Sequence, residues 1–211
     1  MTAVPSMFLA AAVMMAVLDW VAVARGSALL EYVSKPAATA AFLATAATLD
    51  VTHDVSWGWR LAALAFCILG DVFLMLPRDS FIQGLGSFAV AQILFTVSFL
   101  TGETSGLLLL VGVVTVGTAA VLLARRFVAG IRQSGHLELV APVIVYMVVI
   151  SAMTVSAVGS GSAIAAAGAV VFMVSDSLIA ESRFVAARTW HPVGIMVTYH
   201  LALAGLVLGL L

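Results

Sequence analysis

The apolar positions of this chain fall in long unbroken runs, cut by short stretches rich in Gly, Pro, Ser and charge. The runs are continuous rather than alternating, so they predict helices and not the strands of a barrel. Eight are long enough to cross hydrocarbon, which takes about 20 residues per helix. They cover residues 5–24, 33–49, 59–76, 81–100, 106–124, 138–158, 162–180 and 193–211. The longest connections are expected at 125–137 and 181–192. The first run lacks a basic leader and is interrupted by Asp19, so it reads as a retained span and not as a signal peptide. The fold class expected is therefore all-α: a polytopic integral membrane protein of eight transmembrane helices, with 1–211 as a single transmembrane domain.

Composition supports that class. Of the 211 residues, 64% are hydrophobic and 9% are charged, more apolar surface than a soluble core of this size requires. The spans use nearly the whole chain. A net charge of −1 argues against nucleic acid as a partner. Cys67 is the single cysteine and lies in a span, which leaves no intrachain disulfide and no cysteine-based metal site. His53, His136 and His191 are scattered through loops without ligand spacing, and there is no phosphate-binding glycine loop, nucleophile elbow or metal-binding helix motif. No metal and no cofactor is expected.

Charge placement orients the spans. Arg25, Lys35, Arg78, Arg125, Arg126, Arg132, Arg183 and Arg188 fall at the odd-numbered loops, and only Arg60 falls on the other side. By the positive-inside rule the odd loops are cytoplasmic and both termini face out, in an inner (cytoplasmic) membrane. Asp19, Asp71 and Asp176 then lie late in inward-running spans. Lys35, Tyr146, Tyr199 and His200 lie in the first part or middle of outward-running ones. The embedded polar groups are expected to share the cytoplasmic half of the bundle, as a single pocket requires.

Asp71 and Asp176 stand out. A carboxylate at the centre of a span costs about 2.5–3.5 kcal/mol on insertion scales, so each marks a functional site by default. They are about a hundred residues apart, as are Pro36 and Pro142, with Glu31 and Glu138 upstream of the prolines. The spacing suggests a four-plus-four internal repeat with halves 1–104 and 105–211. Such halves would share one topology about an axis along the membrane normal and bring the two aspartates face to face. Two carboxylates sharing a low-dielectric pocket cannot both ionise cheaply, so one holds a proton and the other stays charged: an acid and a base.

The other candidates each have a plainer alternative. Lys35 is either a snorkelling interface lysine, a contact for a lipid phosphate, or the counter-ion of an aspartate. Asp19 is deep enough to pair with Lys35. Tyr199 and His200 are adjacent and point in different directions, so one of them at most faces the pocket. Tyr146 and Gln92 read first as packing and interhelical glue. Ser175, like Gly70, allows close helix approach beside an aspartate, and Gly84 and Gly86 serve the same purpose at the start of span four. The loop arginines are topology signals that also attract anionic lipid.

The runs GDVFLML (Gly70–Leu76), FIQGLGSF (Phe81–Phe88) and GAVVFMVSDSLIAESRF (Gly168–Phe184) resemble the lysoplasmalogenase family of eight-span proteins, also called the YhhN family. Ser34–Pro36 and Thr198–Tyr199 are similar to further motifs of that family. The family usually has a histidine where Gln92 stands, a tyrosine where Phe95 stands and a glutamine near Leu203. The resemblance implies hydrolysis of the vinyl ether bond of a lysoplasmalogen to a fatty aldehyde and a glycerophosphoethanolamine or glycerophosphocholine. Asp71 and Asp176 would be catalytic. Lys35, Tyr199, Asp19, Gln92, Ser175, His200 and Tyr146 would contact a lysophospholipid that enters from the bilayer with its head group near Lys35. The chemistry suits the residues: an enol ether needs a general acid to protonate carbon and a carboxylate to face the oxocarbenium ion, as at a glycosidase site. The alternatives are a small transporter or proton-coupled carrier with buried carboxylates, and a lipid-binding or assembly protein with structural aspartates. Nothing in the sequence specifies an oligomer.

Overall fold

Helices form where the apolar runs predict them, and some of their ends follow local chemistry. The computed structural model describes residues 2–51, 53–76 and 80–211. It contains α1 (Ala3–Ala24), α2 (Ala28–Thr48), α3 (Val55–Met75), α4 (Phe81–Thr101), α5 (Gly106–Ser134), α6 (Val140–Gly159), α7 (Ala163–Phe184) and α8 (His191–Leu208). A short 3-10 turn, Leu137–Leu139, leads into α6. The Asp54 carboxylate caps α3 by accepting the Trp57 N–H at 2.9 Å, and Ser105 and Ser162 cap α5 and α7 in the same way. That N–H, with the Ser56 hydroxyl, holds the Asp54 carboxyl below its ordinary range. Gly135 ends α5 in the left-handed region, at φ +80°.

The main departure from the predicted boundaries is at α5. Arginines end an apolar run, but they are good helix formers, so α5 continues through Arg125, Arg126 and Arg132 to Ser134. Arg126 clamps the Glu181 carboxylate of α7 with two hydrogen bonds, at 2.7 and 2.5 Å. Arg183 likewise belongs to α7 and not to a loop. Arg78 lies outside the described residues. α2 begins about a turn early, which leaves Pro36 inside it, whereas Pro142 sits in the first turn of α6, where proline is tolerated. The two prolines of the suggested repeat thus occupy different local positions.

By length and composition, seven of the eight helices qualify as membrane spans among the described residues. The exception is α2, whose apolar content is mostly alanine and which carries Glu31, Ser34 and Lys35. Neighbours in sequence pack as antiparallel pairs, except α4 and α5; α4 instead packs on α6, and α8 returns onto α1 and α2. α5 packs only on α6, α7 and the 3-10 turn, and exposes Leu107, Leu110, Val113, Val114 and Leu122. Such a broad apolar exterior fits a hydrocarbon solvent.

Glycine sets the closest approaches. A Cβ on Gly168 of α7 would fall 2.7 Å from the Leu206 backbone nitrogen of α8, and one on Gly205 would fall 2.7 Å from the Gly168 Cα. Gly70 leaves room for the Phe88 ring, and Gly84 for Leu74, where α3 meets α4. Gly86 faces open space and does not serve close packing. Small residues at such seams let backbones approach where lipid removes the hydrophobic drive. Gly168→Ala is therefore expected to destabilise by about 1–3 kcal/mol through overpacking against rigid backbone, while Gly86→Ala is neutral or mildly stabilising. Thermal unfolding of both variants in the same detergent checks this, and equal midpoints would count against the seam.

Candidate active site

The buried polar groups form two sets. The first surrounds Asp71, on α3 and fully buried. Lys35 and Thr39 are one helical turn apart and so share a face of α2; Tyr199 comes from α8. The Thr39 and Tyr199 hydroxyls both donate to Asp71 Oδ2, at 2.6 and 2.9 Å. Each hydroxyl has one hydrogen and spends it on the carboxylate, although the two oxygens lie only 3.3 Å apart. Lys35 Nζ stands 3.7 Å from Asp71 Oδ1 and is itself only 5% exposed. Lys35 is therefore not a snorkelling lysine, and its charge also acts on Asp19 across space. It is the counter-ion of Asp71.

The second set lies at Asp176, on α7. The Tyr146 hydroxyl of α6 donates a short hydrogen bond to Asp176 Oδ2. Both residues line a narrow cleft among α3, α4, α5, α6 and α7 that holds about 630 Å³ of unfilled space, its mouth included. The rest of its wall is almost wholly apolar, with Leu74, Leu85, Phe88, Phe127, Met147 and Met173 prominent. Ser177 also faces it, but its hydroxyl donates to the Met173 carbonyl at 2.7 Å. Gln92 of α4 is fully buried, and its amide has no hydrogen-bond partner at normal distance, although it interacts with the Tyr146 hydroxyl.

No hydrogen bond joins Asp71 to Asp176, so the expected face-to-face contact is not formed. What they share is Cys67, a fully buried thiol one turn before Asp71 on which both carboxyls act across space. Asp71 does not line the cleft. Phe88 lies against Gly70, and its ring meets those of Phe172 and Tyr199 edge-on at 6.1 and 5.9 Å. This aromatic wall connects the cleft to the Asp71 network without opening one to the other.

The remaining candidates extend the Asp71 side. Asp19 is fully buried and accepts the Ser34 hydroxyl at 2.9 Å. His200 Nδ1 accepts the Trp20 indole N–H at 3.0 Å, so Tyr199 and His200 do point to different partners. Ser175 donates to the Ile195 carbonyl of α8 at 3.0 Å and is packing, not a cleft residue. Three participants were missed from sequence: Thr39, Ser34 and Trp20. Thr39 was accessible in principle, because it follows Lys35 by one turn.

A helical membrane protein in which one buried carboxylate sits in an ion pair and a second lines an apolar cleft is the class that fold and site define. The chain matches the family model of the YhhN family over residues 30–210, and it belongs to that family. Comparison with curated proteins and with solved structures finds no match.

Removing one partner of a buried ion pair costs about 3–5 kcal/mol because the other charge is left unpaired. Lys35→Met should therefore destabilise strongly, and adding Asp71→Asn should recover much of the loss. A double-mutant cycle from thermal unfolding in detergent measures the coupling; additive losses would show that the two groups do not act as a pair.

Proposed function

We propose that this protein is a multi-pass membrane hydrolase that cleaves the vinyl ether bond of a lysoplasmalogen, with α2 as its eighth span. The observation that carries this reading is the apolar cleft with the Asp176 carboxyl in its wall, oriented by the Tyr146 hydroxyl. Membership of the YhhN family is consistent with it. An apolar slot with few polar groups suits a single hydrocarbon chain with one reactive bond.

The chemistry follows from an acid placed beside an electron-rich double bond. Tyr146 occupies Oδ2, which leaves Oδ1 to carry the proton. Asp176 delivers that proton to the outer carbon of the vinyl ether. The double-bond electrons form the new C–H bond, and an oxocarbenium ion remains at the carbon bearing oxygen. The Asp176 carboxylate, still held by Tyr146, faces that cation. Water adds to the carbon and returns a proton to the carboxylate. The hemiacetal then breaks its C–O bond, its hydroxyl proton passes to the glycerol oxygen, and a fatty aldehyde leaves. No covalent nucleophile is needed, and the Ser177 hydroxyl is already committed to backbone. Asp71 enters this scheme as a positioning residue: with Lys35 and Thr39 it fixes Tyr199, and Tyr199 supports the Phe88 wall.

General acid catalysis contributes about 10²–10⁴-fold. Asp176→Asn should cut aldehyde release from a lysoplasmalogen by at least about 10²-fold while the protein still purifies and melts normally, and Ser177→Ala should retain activity. Full activity in Asp176→Asn would remove the mechanism. A carrier would instead move intact lipid across sealed vesicles with no aldehyde formed, and that result would replace hydrolysis with transport.

A further inference from the structure

Beside the cleft at Asp176 lies a second recess of different character. Phe81, the first residue of α4, and Phe184, the last of α7, line both. The outer recess holds about 790 Å³, its open mouth included, and its other walls are Ile82, Leu139, His136, Glu138 and Arg183. It lies where the start of α4, the end of α7 and the connection from α5 to α6 meet. The Arg183 guanidinium is stacked over the Phe81 ring, 4.1 Å from its centre, and Phe81 meets Phe184 edge-on at 6.0 Å. His136 Nδ1 contacts Glu138 Oε1 at 3.2 Å. A cation is thus fixed on one side of the recess, with a carboxylate on the connection that forms its other side.

We propose that this recess is the head-group subsite, and that it takes a zwitterionic phosphoethanolamine-type group with the phosphate at Arg183 and the ammonium at Glu138. This rests on the lipid reading of the cleft. Three observations carry it. Lys35, the alternative phosphate contact, is buried against Asp71 and lines neither recess. Arg183 precedes the shared Phe184 and lies seven residues beyond Asp176 on the same helix. At 1.5 Å per residue that is about 10 Å along the axis, a span that a glycerol backbone and its phosphodiester can bridge. Finally, the outer recess carries a cation and an anion, two aromatic rings border both recesses, and the cleft is an apolar wall with one acid. A one-chain zwitterionic lysolipid has the same order of polarity. A planar guanidinium is suited to bidentate phosphate binding.

The test separates the head group from the chemistry by using a lipid that cannot react. Binding of a saturated 1-O-alkyl lysophosphoethanolamine to the purified protein is compared with that of a 1-O-alkylglycerol of equal chain length, by thermal shift and calorimetry. The phosphoethanolamine lipid should bind at least tenfold tighter. Arg183→Gln should remove most of that advantage. Glu138→Gln should weaken the phosphoethanolamine lipid but leave unchanged a phosphomethyl analogue that lacks the amine. Glycerophosphoethanolamine should compete weakly and inorganic phosphate more weakly still; phosphate competing as well as the lipid would mark a general anion site and overturn the assignment. Equal affinity for the two ether lipids, or no effect of either substitution in protein of unchanged melting point, would also overturn it. Because no turnover is measured, tight selective binding without any aldehyde release from a lysoplasmalogen would preserve this subsite and reject the hydrolase reading instead.

Discussion

An acid inside hydrocarbon must be given partners, and this bundle is organised around how it does so for Asp71. The carboxylate is fully buried. Its oxygens face a cation from α2, a hydroxyl from α2 and a hydroxyl from α8. Those partners come from helices far apart in sequence, so the chain must bring α8 back onto α2, and the Tyr199 hydroxyl to Asp71, before the charge is tolerable. Desolvating both members of an ion pair costs several kcal/mol each, and attraction at 3.7 Å without a direct hydrogen bond repays this only in part. Such a pair is weak evidence of stability. It is better understood as specifying register, since a one-residue slip of α2 would move Lys35 and Thr39 off the face they share.

Asp176 is handled differently. It has one hydroxyl partner, Tyr146, and the cleft beside it. The two aspartates therefore differ in kind, although sequence context makes them look equivalent. One has two hydroxyls on Oδ2 and a cation 3.7 Å from Oδ1, and is shielded by Phe88, Phe172 and Tyr199. The other keeps part of its carboxyl available to whatever enters. An acid that must give up a proton to carbon needs that availability; an acid that holds a network together does not. In the proposed scheme the division of labour follows from what each residue touches.

Much of this was legible in the sequence. The apolar runs gave eight helices in the right places because length and hydropathy dominate helix placement in lipid. The embedded polar residues could be recognised one by one, since each was anomalous in its run. Their pairing could not. Lys35 could meet Asp19 or Asp71 on the same evidence, and helix rotation decided for Asp71. The arginines of α5 and Arg183 of α7 were assigned to loops because charge ends hydropathy, although it does not end a helix. Lys35 looked like an interface cation for a related reason: an ion pair between α2 and α3 leaves no local trace in sequence. The four-plus-four spacing is visible in sequence, but Pro36 and Pro142 occupy different helical positions, so local structure does not repeat with it.

Gln92 shows how a departure from the family pattern bears on the site. The family usually carries a histidine at this position, one that can titrate. Here the group is an amide, fully buried, close to the Tyr146 hydroxyl and without a partner at normal hydrogen-bond distance. An amide can donate and accept, but it cannot take up or release a proton near neutral pH. Tyr146 has one hydrogen and gives it to Asp176; its free lone pair faces the amide side. With histidine in that place, a second proton carrier would sit behind Tyr146 and could exchange with it. With glutamine, the proposed scheme confines proton traffic at this end of the site to Asp176 and the water that reaches it. In the proposed scheme Asp176 must then act twice, first as acid and then as base, and the amide can only orient the phenol that holds it.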